Sequence, residues 1–166
     1  PVNVLTGTLS TDWDGKAKDR ALIVAQLNVD RDFIPNFRVK LLAGRNFRGV
    51  KADSTSVILN ETAVRQTGIK DPIGKRFKLN ATEGTIIGVV KDFNITSVRT
   101  PIFPLVIFSH PDGNYKVHVR TTARLAPAAI RKAEQLWKQY IPAYPFEYAF
   151  LDADYNALYR TEEQTG

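Results

Sequence analysis

Apolar residues in this chain come in short runs, and only one stretch of any length carries a helical period. The longest apolar runs fall at residues 85–90 and 102–108, the second broken by Pro104. Short apolar runs bounded by turn residues read as strands. None approaches the roughly 18–20 residues that a membrane-spanning helix needs. The single helical period covers residues 127–140. There Ala129, Ile130, Ala133, Leu136, Trp137 and Tyr140 recur at the spacing of one buried stripe, with Lys132, Glu134 and Lys138 off it. Pro127 sits in the first turn, where its missing N–H costs nothing, and Pro142 stops the helix.

Around this helix the pattern predicts strands at residues 2–9, 21–29, 56–59, 76–79, 84–90, 105–108, 115–120 and 146–151. Residues 21–29 are apolar nearly throughout, which predicts burial on both faces. Residues 76–79 and 84–90 flank a turn at 80–83 and form an expected hairpin. Residues 30–37 carry a weak helical character, interrupted by Pro35. Residues 40–47 read as a loop with two aliphatic anchors, Leu41 and Leu42, and a glycine turn. Asn60 is placed to cap a helix that Gly68 ends. Asp71-Pro72-Ile73-Gly74 is a turn, as is the segment 110–114, and Gly88 marks a bulge or a close backbone approach. Asp152 is placed to cap a last helix. The strand, helix and strand at the C-terminal end read as a βαβ unit, and residues 41–100 could form a small lobe of their own.

With 43% hydrophobic and 24% charged residues the chain has an ordinary globular balance. It has no cysteine, which removes thiol catalysis and thiolate metal sites. It has no methionine either, which points to a processed chain or a piece of something longer. Its 23 basic and 17 acidic residues give a net charge of +6. The signs are interspersed and no nucleic-acid signature accompanies them, so nucleic acid is not an expected partner.

Motifs that carry chemistry fail on spacing. Gly74-Lys75 is not a phosphate loop, because Ile69 stands where the first glycine belongs and Arg76 where a hydroxyl is needed. His110 and His118 lack a third metal ligand. Asp12 and Asp14 before Gly15 lack the later ligands of a calcium loop. There is no Gly-x-Ser-x-Gly elbow, and Asp152 and Asp154 sit where helix-start acids serve the dipole. The Asn-x-Thr sequons at Asn60, Asn80 and Asn94 are better explained, at the first two, as a helix cap and a turn residue. No catalytic, cofactor or metal residue is assigned.

Four stretches taken together resemble one family. They are Phe33-Ile34-Pro35-Asn36-Phe37 followed by Lys40-Leu41-Leu42-Ala43-Gly44-Arg45-Asn46-Phe47; Val57-Ile58-Leu59-Asn60-Glu61-Thr62-Ala63 followed by Asp71-Pro72-Ile73-Gly74-Lys75-Arg76-Phe77; Thr85-Ile86-Ile87-Gly88-Val89-Val90-Lys91-Asp92-Phe93; and Tyr144-Pro145-Phe146-Glu147-Tyr148 with Leu158-Tyr159-Arg160 and Glu163-Gln164. In order and spacing they resemble the MacB-like periplasmic core domain of FtsX-type ABC transporter permeases of the Bacteroidetes type, over residues 20–166.

The resemblance implies an α+β fold with two lobes. A porter-like βαβ lobe would hold residues 1–40 and 101–166, without the helix that ordinarily leads it, and a small mixed α/β lobe, residues 41–100, would be inserted into it. It implies a non-catalytic domain on the periplasmic face of the bacterial inner membrane, between two membrane spans. ATP would be hydrolysed in a separate ATPase subunit or domain. The expected partners are the permease's own transmembrane helices, a second permease copy or pseudo-copy, and a periplasmic or outer-membrane protein. The alternative is a periplasmic ligand-binding or sensor module for a peptide or lipid-linked ligand; a third reading is a hydrolase with a non-contiguous carboxylate pair. Trp13, in a polar loop, and Ile102 and Phe103, between two prolines, are the candidate contact residues. A buried Trp13 ring would remove it from that set.

Overall fold

The structure is a computed structural model and describes residues 6–94, 101–110 and 116–151. The backbone groups into two units divided between residues 115 and 116. The first holds one mixed sheet of eight strands: β1 (Thr6–Thr8), β2 (Thr11–Trp13), β3 (Val24–Asn28), β4 (Leu41–Gly44), β5 (Ser56–Asn60), β6 (Arg76–Leu79), β7 (Thr82–Val90) and β8 (Leu105–Phe108). Along the sheet the order is β1-β3-β8-β5-β7-β6-β2, and β4 pairs the far half of β7. Among the described residues two α-helices accompany it, the short α1 (Phe33–Asn36) and α2 (Glu61–Thr67), with a 3₁₀ turn at Lys51–Thr55. The fold class is α+β, as the strand-rich pattern implies.

Strands β1 and β2 follow one another in sequence yet stand at opposite ends of the sheet. Only Leu9 and Ser10 join them, so Thr8 and Thr11 lie within about 11 Å of each other. The sheet must therefore curl until its ends approach. Asn80, in the β6–β7 turn, ties the seam with its backbone and its side chain. Asn80 N–H donates to Ser10 O (2.7 Å), Thr8 Oγ1 donates to its Oδ1 (2.9 Å), and its Nδ2 donates to Gln26 Oε1 (2.8 Å). Asn80 holds φ +55°, a conformation asparagine tolerates in turns.

One face of the sheet packs Val24, Val57, Leu59, Phe77, Leu79, Ile86 and Val106 with Trp13 and with Ala63 of α2. The alternate residues Leu27, Ile58 and Ile107 point the other way and are also buried, so the central strands are covered on both faces. Gly88 lies where β5 and β7 shift register, between Val57 and Ile58. A Cβ there would stand 2.6 Å from Arg45 O, so both readings of this glycine hold.

Several expected elements are corrected. Residues 41–44 are a strand, not a loop, because β7 runs on past β6 and offers them a ladder. Trp13 ends a strand rather than lying in a loop. The second hairpin strand begins at Thr82, so the turn is only Asn80 and Ala81. The sheet draws strands from residues 1–40 and 101–110 and also from 41–100.

In the second unit α3 (Ala126–Tyr140) forms as its period predicts, with Pro127 in the first turn. Its stripe is not buried, however: no α3 residue is, and Leu136 and Tyr140 are exposed. Among the described residues, 116–120 and 146–150 are not assigned as strands. Along the second stretch alternation sets the rings in a row: Trp137 lies 6.2 Å from Phe146, Phe146 5.8 Å from Tyr148, and Tyr148 5.9 Å from Phe150. The expected helix after Asp152 lies outside the described residues, as do residues 2–5 of the first expected strand and residues 111–114 of the turn.

Candidate functional site

The site is built on the N-terminus of α2, where three consecutive residues each do a different task. Asn60 is 1% exposed and makes three hydrogen bonds with one side chain. Its Oδ1 accepts from Ala63 N–H (2.9 Å), the helix cap its sequence position predicts, and from Leu105 N–H (2.8 Å). Its Nδ2 donates to Phe103 O (2.9 Å). Glu61 Oε2 accepts from Asp92 N–H (3.0 Å). Thr62 donates its N–H to Asp92 Oδ1 (3.0 Å) and its hydroxyl to Asp92 Oδ2 (2.7 Å), and that hydroxyl accepts from Arg65 Nη2 (2.8 Å). Asp92 and Phe103 bracket the chain between β7 and β8. One helix turn thus holds both feet of that excursion.

The far foot carries the exposed apolar side chains. Phe103 is 55% exposed and Ile102 39%, while their neighbour Pro104 is buried and accepts Ala25 N–H at its carbonyl (2.8 Å). Buried polar bonds fix the backbone here, and the side chains stay in solvent. Register adds two residues that the sequence alone does not bring together. Strand β3 runs parallel to β8 with Ala25 opposite Leu105, which sets Ile23 beside Phe103. Strand β1 pairs β3 with Thr8 opposite Val24, which sets Leu9 beside Ile23. Ile23 is 61% exposed and Leu9 57%. Continued past the ladder ends, these registers bring Leu9, Ile23 and Phe103 to neighbouring positions on three adjacent segments, on the face where Leu27 and Ile107 are buried further along. Large exposed apolar groupings mark contact sites more than isolated residues do.

Trp13 does not belong to this surface. It is 2% exposed, stacks on Phe77 at 6.3 Å between centroids, and carries Lys16 Nζ 5.1 Å over its ring. Strand β2 turns the indole into the core at every second residue, so the ring that looks stranded in a polar loop is a core residue.

Other polar clusters hold loops in place. Asp53, 2% exposed, accepts N–H bonds from Arg48 (2.6 Å), Gly49 (2.9 Å) and Val50 (3.3 Å), and one from Arg45 Nη1 (3.3 Å). Burial pushes its carboxyl up, but these donors together outweigh burial and hold it below the usual carboxylate range. Arg76 reaches Asp12 (2.7 Å), Asp14 (3.0 Å) and Glu83 (3.3 Å), and its hydrogen bond to Asp12 lowers that carboxyl. Among the described residues no group of three or more His, Asp or Glu side chains is placed to hold a metal. A cleft of about 220 Å³ is lined by Asp14, Gly15, Thr67, Gly68, Lys70 and Lys75. It is smaller than the roughly 300–1,000 Å³ of ligand pockets. No described helix is long and apolar enough to cross a membrane.

Comparison with known proteins decides the family. The model of the MacB-like periplasmic core domain matches residues 2–136. The chain belongs to this family. Solved structures agree in fold. A permease-protein domain from Porphyromonas gingivalis is 20% identical, with a TM-score of 0.58 over 81% of this chain and 66% of that one. The periplasmic region of MacB from Actinobacillus actinomycetemcomitans is 16% identical, with a TM-score of 0.52 over 81% and 65%. The extracellular domain of the noncanonic ABC-type transporter YknZ from Gram-positive bacteria is 11% identical, with a TM-score of 0.54 over 81% and 73%. The chain spans about two-thirds of the length of the first two. No curated protein matches it. It shares its fold with the domains of those structures.

Proposed function

We propose that this MacB-like domain works on the periplasmic face of the bacterial inner membrane as a non-catalytic part of an ABC transporter permease. It couples motion driven by a separate ATPase to contact with a partner or an exported substrate. Its permease supplies the membrane helices, as a homodimer or pseudo-dimer. Partner contact runs through Ile102 and Phe103. The supporting observation is the pairing of a buried polar clamp with exposed apolar side chains: Asn60 fixes the backbone of Phe103, while the ring stays in solvent. A surface fixed before it meets a partner loses less entropy on binding. The cleft beside Lys70 and Lys75 gives a ligand-binding module less support, since it is small and polar on several sides. The test is photo-crosslinking from positions 102 and 103 of the full-length permease in its own membrane. A discrete adduct with a periplasmic or outer-membrane protein is expected, and the adduct from position 102 should be lost on Phe103→Ser. No adduct from position 102 or 103, with efficient labelling elsewhere on the domain, overturns the reading.

A further inference from the structure

Among the described residues strand β1 ends the sheet, and the direction of its backbone groups follows from the register. In β3, Ala25 N–H donates to Pro104 O (2.8 Å) and Val29 N–H to Phe108 O (3.0 Å). The odd-numbered residues of β3 therefore turn their backbone groups towards β8. Val24 and Gln26 turn theirs towards β1, where they stand opposite Thr8 and Thr6. Gly7, between those two, must turn both its N–H and its C=O away from the sheet. Among the described residues neither group has a partner.

Edge strands are ordinarily guarded by charge, proline or a bulge. The other two edges here are guarded: β2 carries Asp12, paired with Arg76, and β4 has a register shift between Leu41 and Ala43. Thr6-Gly7-Thr8 has no charge, proline or bulge, and only its three-residue length limits pairing. Gly7 is exposed, and a Cβ there would meet only Ile23 Cγ2 (3.6 Å) and Val24 O (4.0 Å). The missing side chain leaves Ile23 open to anything lying along the edge, with Leu9 beside it and Phe103 behind. Strand addition needs free backbone groups at an edge and apolar places for every second side chain. Both are present.

Charge narrows the occupant. Lys16, Lys18 and Arg20, against Asp19 alone, lead into Ile23, and the chain as a whole carries +6. A second copy would meet its own sign. We propose that the β1 edge receives an extended segment of a partner polypeptide, apolar at alternate positions and acidic between them. Its backbone pairs with Gly7 and its side chains rest on Leu9, Ile23 and Phe103. The proposal rests on the reading of the Phe103 surface as a contact site and names the chemistry of what binds there.

The test is an amide NMR titration of the 166-residue chain with a peptide alternating valine and glutamate, and with its valine–lysine counterpart. The acidic peptide is expected to shift and protect the Gly7 amide and to bind more tightly at low salt than the basic one. Gly7→Pro removes an outward N–H and no ladder bond, so it should weaken binding by about tenfold or more with the fold intact. Gly7→Lys, whose Cβ fits the space, guards the edge and should do the same. Strand addition is overturned if both variants bind like the parent. It is also overturned if Gly7 is already protected from exchange in the free chain, or if the chain dimerises through β1 and ignores the peptide. The two readings separate cleanly. If Phe103→Ser abolishes partner crosslinking while the Gly7 variants bind normally, the contact surface stands and strand addition fails. If the Gly7 variants alone lose binding, the reverse holds.

Discussion

Asn60→Ala is the sharpest perturbation of the clamp. It removes the cap of α2, worth about 1 kcal/mol, and the partners of two backbone groups. Leu105 is 3% exposed, so its N–H loses its acceptor out of reach of water, at about 1–3 kcal/mol. Phe103 O lies at the exposed foot, where water can replace Nδ2, and its loss falls at the low end of that range. The sum is about 3–5 kcal/mol, a large share of the roughly 5–15 kcal/mol typical of a domain. In urea, with an m-value of about 2 kcal/mol/M, the midpoint should fall by about 1.5–2.5 M. Asn60→Ser separates the two tasks. Serine caps a helix about as well as asparagine but is too short to reach Phe103 and Leu105, so it should recover only about 1 kcal/mol. Exchange of the Leu105 amide should quicken equally in both variants. If serine restores the parental midpoint, or alanine costs under about 1 kcal/mol, then Asn60 is only a helix cap and the fixed Phe103 backbone has another cause.

Two further outcomes follow from other positions. Gly88→Ala sets a methyl 2.6 Å from Arg45 O inside the β4–β7 ladder, whereas Gly68→Ala meets nothing within 4 Å and strains only its φ of +72°. Thermal melts should show the first as the more damaging, by about 1 kcal/mol or more, with Gly68→Ala costing about 1 kcal/mol; equal melts would count against the close approach. Asp53 titrates below its unfolded value, so its contribution is full above about pH 4 and is lost as pH falls through the folded value. Asp53→Asn should therefore be less stable than the parent at pH 7, and the gap in denaturation midpoints should narrow as pH falls below about pH 4; a gap that does not change with pH would contradict this account.

What the sequence made legible is local. Asn60 as cap, Gly68 at the helix end and the β6–β7 hairpin each depend on residues a few positions apart, and each stands in the structure. What it hid is non-local. Residues 41–44 look like a loop because nothing within them says that β7 outruns β6 and leaves a ladder to fill. Trp13 looks like a displayed anchor because its flanks are polar, but those flanks are the solvent side of a strand whose alternate residue faces Phe77.

The contact surface divides along the same line. Ile102 and Phe103 could be singled out because prolines on either side limit how such residues can be buried. Leu9 and Ile23 could not, since neither stands in an unusual context and their nearness to Phe103 exists only through two strand registers. The clamp was half visible. A cap at Asn60 follows from the sequence, but its second amide arm spans 43 positions to Phe103, and no local rule reaches so far. The same residue that starts a helix therefore also sets the position of the surface. Substitutions at the cap and at the rim should couple in a double-mutant cycle on partner binding. Additive effects of Asn60→Ser and Phe103→Ser there would mean that the rim is positioned without the clamp.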